Sequence, residues 1–221
     1  SERTRLSSDA AKAVKRRRGP DRRTMAFPLE AAAGLRTGRE PYTPQGPIRS
    51  ARMIVIGCWW LLREVELSNI SLKDVSLSPE GNPQLLLQVS KSDTSALGEL
   101  RSHECASEVN SNNPGCIDNR ICPACNLTSQ IADVRKQFPE LGDLAPLFPG
   151  IDGSRPSKSA VIQTFAEAGA QLGLPKHRNN GSDSWGGRAL RRGGAQFLAA
   201  AGVDVWRNQA LARHSSADRE R

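Results

Sequence analysis

The chain is 221 residues long and 23.9 kDa, with 38% apolar and 24% charged residues, which suits a soluble globular protein of one large domain or two small ones. No run approaches the roughly 18 consecutive apolar residues that a membrane span needs, since the longest, 53–62, is broken by Gly57 and Cys58. A charged leader followed by an apolar stretch and a small-residue cleavage site is also absent, so the expectation is an intracellular protein, nuclear in a eukaryote and otherwise cytoplasmic.

The formal charge of +8 is unevenly spread. Residues 1–23 carry nine basic and three acidic side chains, and 185–221 carry seven arginines against Asp204, Asp218 and Glu220, so both ends are basic while the middle is slightly acidic. Such clusters suit a polyanion, because each neutralised phosphate releases condensed counterions. The alternative for Lys15-Arg16-Arg17-Arg18 and Arg22-Arg23 is a solvated tail.

In chain order, 1–23 reads as a flexible tail, with at most a short helix around 10–14, and ends in Gly19-Pro20. A short helical signal at 27–35 leads into a Gly/Pro-punctuated loop holding Tyr42, the only tyrosine. Residues 48–67 lack proline and place Ile54, Cys58, Leu61, Leu62 and Val65 at helical spacing, which predicts one core helix. From 72 to 89 the alternation around a Pro79-Glu80-Gly81-Asn82-Pro83 turn predicts a β-hairpin. Residues 92–126 are polar and cysteine-rich, with little regular structure expected. Helices follow at 157–172, 188–201 and 205–212. The fold class is α+β, mainly α-helical, with a small antiparallel sheet.

Four features then occur in one order: Arg63-x-x-Glu66 on a helix, Lys91 just after a strand, Leu190-Arg191 opening a helix, and His214 after a short final helix. With Leu61-Leu62-Arg63-Glu64-Val65-Glu66-Leu67, Gln88-Val89-Ser90-Lys91-Ser92-Asp93-Thr94, Arg188-Ala189-Leu190-Arg191-Arg192-Gly193-Gly194-Ala195 and Leu211-Ala212-Arg213-His214-Ser215-Ser216, the order resembles the catalytic domain of the tyrosine recombinases, the phage-integrase family. Leu147-Phe148-Pro149 also looks like the family segment before the helix at 157–172. The resemblance spans about 25–221. It divides the chain into the tail 1–23 and a catalytic domain at 24–221, with a cysteine-rich insertion at about 101–126.

The chemistry can be stated from the residues. Cleaving a phosphodiester builds negative charge on the non-bridging oxygens of a five-coordinate phosphorus, and planar, permanently charged guanidiniums hold those oxygens bidentately. Arg63 and Arg191 fit that part, and Glu66, one helical turn from Arg63, can pair with the guanidinium and fix its rotamer. By the resemblance, Lys91 protonates the leaving 5′ oxygen, His214 donates a further hydrogen bond to phosphate, and a tyrosine attacks phosphorus to give a 3′-phosphotyrosyl link. That scheme needs neither metal nor ATP.

Two departures stand out. The family's second box usually reads His-x-x-Arg, and here Arg188 occupies the histidine position; it can bind phosphate but cannot act as a base near neutral pH. The nucleophile is expected about nine residues after the His214 position, whereas Arg221 follows it by seven, and Tyr42 lies before the first box. The 221 residues are therefore expected to bind duplex DNA without forming the covalent link, as a fragment or degenerate copy of an enzyme of DNA recombination and integration, of the kind mobile elements carry. Intact relatives self-associate on DNA.

Cys58 reads as a small buried hydrophobe. Cys105, Cys116, Cys122 and Cys125 cluster with His103, and Cys122-Pro-Ala-Cys125 has zinc-knuckle spacing, so these four are candidates for a structural zinc; reduced thiols and a disulfide are the alternatives. Two rival functions stay open: a non-catalytic DNA-binding module of the same fold, and a zinc-stabilised domain that binds nucleic acid or protein.

Overall fold

A computed structural model describes residues 24–87, 98–105, 116 and 119–211. The basic segment 1–23, Lys91 and His214 lie outside the described residues. Among those residues the chain forms α1 (Ser50–Trp59), α2 (Glu64–Asn69), β1 (Val75–Leu77), β2 (Pro83–Leu87), β3 (Glu99–Ser102), α3 (Pro123–Gln137), α4 (Lys158–Gln171), α5 (Ala189–Ala200) and α6 (Val205–Leu211). The helical signal at 27–35 is realised as a 3-10 turn, Glu30–Gly34. No helix among the described residues is long and apolar enough to cross a membrane.

Helix α1 is buried on nearly every side: Met53, Ile54, Val55, Ile56 and Cys58 are all out of water, and α3, α4 and α5 pack around it. A helix apolar all round belongs at the centre of a bundle. Burial pushes the Cys58 thiol far up, so it is a neutral packing group.

The single helix expected over 48–67 is two helices. Leu61 takes the left-handed conformation (φ 52°), its N–H bonds Cys58 O at 3.2 Å, and the Leu62 N–H bonds Gly57 O at 2.8 Å. These are the paired bonds of a Schellman stop, in which glycine usually takes the left-handed place. A leucine there costs on the order of 1–2 kcal/mol, offset by burying Leu61 and Leu62 almost completely. Helical spacing alone runs through such a stop, because the apolar residues continue across it. Arg63 then takes extended backbone as the N-cap of α2, so it precedes that helix rather than sitting within it.

The expected hairpin is present as β1 and β2, paired Val75 with Leu85. A third strand was not expected: β3 lies antiparallel on β2, pairing Leu85 with Arg101 and Leu86 with Leu100. Its sequence hides it, because the inward position opposite Leu85 is filled by Arg101, so no apolar alternation shows.

Helix α3 is the other element missing from the sequence reading. It starts with Pro123 in its first turn and buries Leu127 and Val134. The same face also buries Asn126 and Gln130, which dilutes the apolar stripe. Their amide N–H groups are bonded: Asn126 donates to Cys122 O at 2.8 Å and Gln130 to Leu147 O at 2.7 Å. Helix α4 begins where Ser157 accepts the Ala160 N–H at 3.1 Å, the N-cap expected of a serine after Pro156.

Candidate functional site

The site is built where α5 crosses the end of α1. A Cβ on Gly194 would stand 1.8 Å from Cys58 O, and one on Gly193 1.8 Å from Phe27 O, so only glycine lets the α5 backbone come this close. The Gly-Gly pair of the second arginine box is thus a packing device. The segment before α1 ties down the same helix: the Phe27 N–H bonds Ala189 O at 3.0 Å, and Arg192 donates to Thr24 O. The two boxes are joined directly by the Glu64 N–H on Gly187 O at 3.0 Å.

This crossing brings Arg191 and Arg63 to one carboxylate. Arg191 is only 8% exposed. Its Nε donates to Leu61 O at 2.6 Å, and its Nη2 reaches both oxygens of Glu66 at 3.3 and 3.1 Å. Glu66 Oε2 also accepts the Arg63 backbone N–H at 2.6 Å, and its Oε1 lies 4.0 Å from Arg63 Nε. The Arg63 Nε is buried and has no hydrogen-bond partner among the described residues. Arg188, the N-cap of α5, is exposed one turn before Arg191. Three guanidiniums therefore flank the start of α5, the positive end of the helix dipole. A buried cation is tolerable here because its partner carboxylate and a backbone carbonyl hold it, and the left-handed turn at Leu61 aims that carbonyl.

Tyr42 donates its hydroxyl hydrogen bond to Gln171 Oε1 at 2.6 Å, at the C-terminal end of α4, and Arg36 covers its ring at 4.7 Å. Burial raises its pKa, against the lowering effect of Arg36, so it is held as a protonated phenol.

The four cysteines of the second candidate site come together. The sulfurs of Cys105, Cys116, Cys122 and Cys125 all lie within 4.8 Å of one another. Cys105 follows β3, Cys122 caps α3 and Cys125 is in its first turn. Cys105 Sγ stands 3.6 Å from Cys122 and 3.7 Å from Cys125, well beyond the roughly 2.05 Å of a disulfide. Burial, then the neighbouring thiols, pushes the Cys125 thiol up. This group of soft donors could hold a metal ion. His103, which clusters with the cysteines in sequence, is turned elsewhere: its Nε2 donates to Trp59 O at 3.1 Å, and its ring meets Trp60 edge-on at 4.5 Å. Burial lowers its pKa to about 4, so it is neutral.

Sequence reasoning missed Arg101, which is buried, pairs with Glu99 at 2.8 Å and donates to Leu211 O, linking the sheet to α6. Glu99 and Arg101 two residues apart share a strand face, which is the one signal that could have marked them. The tryptophan pair was also missed: the Trp59 indole donates to Ile121 O at 2.8 Å and that of Trp60 to Arg101 O at 3.1 Å.

A mainly helical domain with a three-stranded antiparallel sheet, carrying two arginine boxes on adjoining helix starts, has the tyrosine-recombinase fold. The chain is similar over 90% of its length to the XerH site-specific recombinase in a crystal structure with its difH substrate, a pre-cleavage complex, at a TM-score of 0.56 and 17% identity. It spans 51% of that recombinase chain. No family model matches the sequence, and no curated protein does.

Proposed function

We propose that the chain is the DNA-binding catalytic domain of a site-specific recombinase or integrase, of the kind mobile elements carry, acting on duplex DNA. Arg63, Arg188 and Arg191 would bind the non-bridging oxygens of the scissile phosphate. Glu66 holds Arg191 and the Arg63 backbone in place, Lys91 acts as general acid to the leaving 5′ oxygen, and His214 adds a hydrogen bond to the phosphate. The observation that carries the reading is the meeting of Arg63 and Arg191, 128 positions apart, at the single carboxylate of Glu66. The XerH likeness supports DNA as the partner, and assembly of copies on DNA would follow the same pattern. In this reading phosphate charge is met by guanidinium, and the four cysteines serve folding by holding a structural zinc.

With one tyrosine, already engaged at Gln171, the 221 residues should bind DNA and leave no covalent adduct after denaturation. The second reading is a non-catalytic DNA-binding module of the same fold. Fluorescence anisotropy with duplex DNA across a salt series tests the shared core of both. Arg63→Ala and Arg188→Ala should each weaken binding about 10- to 100-fold, the worth of a charged hydrogen bond, and flatten the salt slope by about one unit per lost phosphate contact. Unchanged affinity in the double variant, with folding intact by circular dichroism, would overturn the phosphate site.

A further inference from the structure

We infer that Cys105, Cys116, Cys122 and Cys125 bind one zinc ion as a tetrahedral four-thiolate site, and that this clip positions the turn that presents Leu61 O to Arg191. The metal half stands on the cysteine geometry; the positioning half rests on the proposed phosphate site. A zinc–sulfur bond of about 2.3 Å places tetrahedral ligand sulfurs roughly 3.8 Å apart, and the sulfurs of Cys105, Cys122 and Cys125 already stand at 3.6 and 3.7 Å. Four thiols converge from three places in the chain: the end of β3, the connection through Cys116, and the first turn of α3. Soft sulfur donors in a closed set of four select zinc over hard cations. Binding would release the thiol protons and leave no open coordination position, so the ion would be structural.

The clip's two flanks grip the same residues. His103, two positions before Cys105, bonds Trp59 O and packs edge-on against both Trp59, at 5.4 Å, and Trp60. Ile121, just before Cys122, accepts the Trp59 indole hydrogen. The next residue after this tryptophan pair is Leu61, whose left-handed backbone aims its carbonyl at Arg191. A metal that joins the end of β3 to the start of α3 therefore closes a bracket around the turn on which Arg191 rests.

The test uses the full chain, reconstituted with zinc alone and then passed through a desalting column. About one zinc per chain is expected, falling to near zero in a Cys122→Ser, Cys125→Ser variant. Cobalt(II) in place of zinc should give the intense visible bands of a tetrahedral site and thiolate-to-metal charge transfer. A metal content far below one per chain, or cobalt without those bands, would overturn the site whatever DNA does. Chelation should weaken duplex DNA binding at least tenfold and zinc should restore it. Trp59→Phe, which removes one grip while leaving the thiols, should keep its zinc and lose roughly three- to tenfold in DNA affinity, as one hydrogen bond of about 1 kcal/mol implies. Unchanged affinity in both cases would overturn the positioning half. A parent chain that binds zinc but no DNA would overturn the functional reading while leaving the metal site established.

Discussion

The arginine site and the cysteine site are both clusters of like groups drawn from distant parts of the chain, yet they are stabilised in opposite ways. The guanidiniums carry their counter-charge within the fold, since Glu66 meets Arg191 at 3.1 Å and the Arg63 backbone at 2.6 Å. The thiols gather within 4.8 Å of one another, and become a strong element only when a dication joins them as thiolates. The contrast teaches that a cluster of guanidiniums can be preorganised by a carboxylate already in the fold, whereas a cluster of thiols becomes a structural element only through a ligand that joins them.

The largest effect should come from removing that internal counter-charge. Glu66→Ala leaves the Arg191 guanidinium buried without its carboxylate, which should cost about 3–5 kcal/mol in denaturant unfolding; a double variant with Arg191→Met should recover much of it. A loss below 1 kcal/mol in the single variant would show that Arg191 does not depend on the pair, and the contrast with the cysteines would fail. Gly194→Ala comes next. Its methyl would be driven against Cys58 O, so α5 must shift, at about 1–3 kcal/mol, and DNA affinity should fall with the displacement of Arg191. Wild-type DNA binding together with lowered stability would separate the helix crossing from the site.

The smallest expected effect is in acid, at a third charge cluster. Partial burial pushes Asp133 up, but the hydrogen bond from Arg52 and the charges of Arg49 and Arg52 outweigh it and hold its carboxyl below the usual range. A folded-state pKa below the unfolded one means stability is fully present above about pH 4 and is lost as pH falls through and below the unfolded carboxylate's range. Asp133→Asn should remove that part of the acid slope in unfolding curves, lowering stability modestly at neutral pH and changing little in acid, where the carboxyl is already protonated. Because the ion pair ties α1 to α3 near the surface, retention of the full slope would place the acid sensitivity elsewhere.

The two arginine boxes were legible because Arg63 and Arg191 sit at helix starts that local signals mark, as at Leu190-Arg191. The hairpin and α4 were legible through a Pro/Gly turn and a serine cap. The helix stop at Leu61 was not, since the residue in the left-handed position is a leucine whose apolar side chain prolongs the helical pattern. Strand β3 and helix α3 were hidden by one cause: their inward faces carry the polar Arg101, Asn126 and Gln130, so no apolar period shows.

Residue identity alone determined the charge distribution, the two arginine boxes, the four clustered cysteines and a mainly helical class with a small sheet. Tertiary structure decided that Arg63 and Arg191 meet at Glu66, that Gly193 and Gly194 serve a close helix crossing, and that His103 turns from the cysteines toward the tryptophans. The physical reason is that periodicity and caps act over a few residues, whereas a buried ion pair and a ring of thiols depend on which distant surfaces packing brings within a few ångströms.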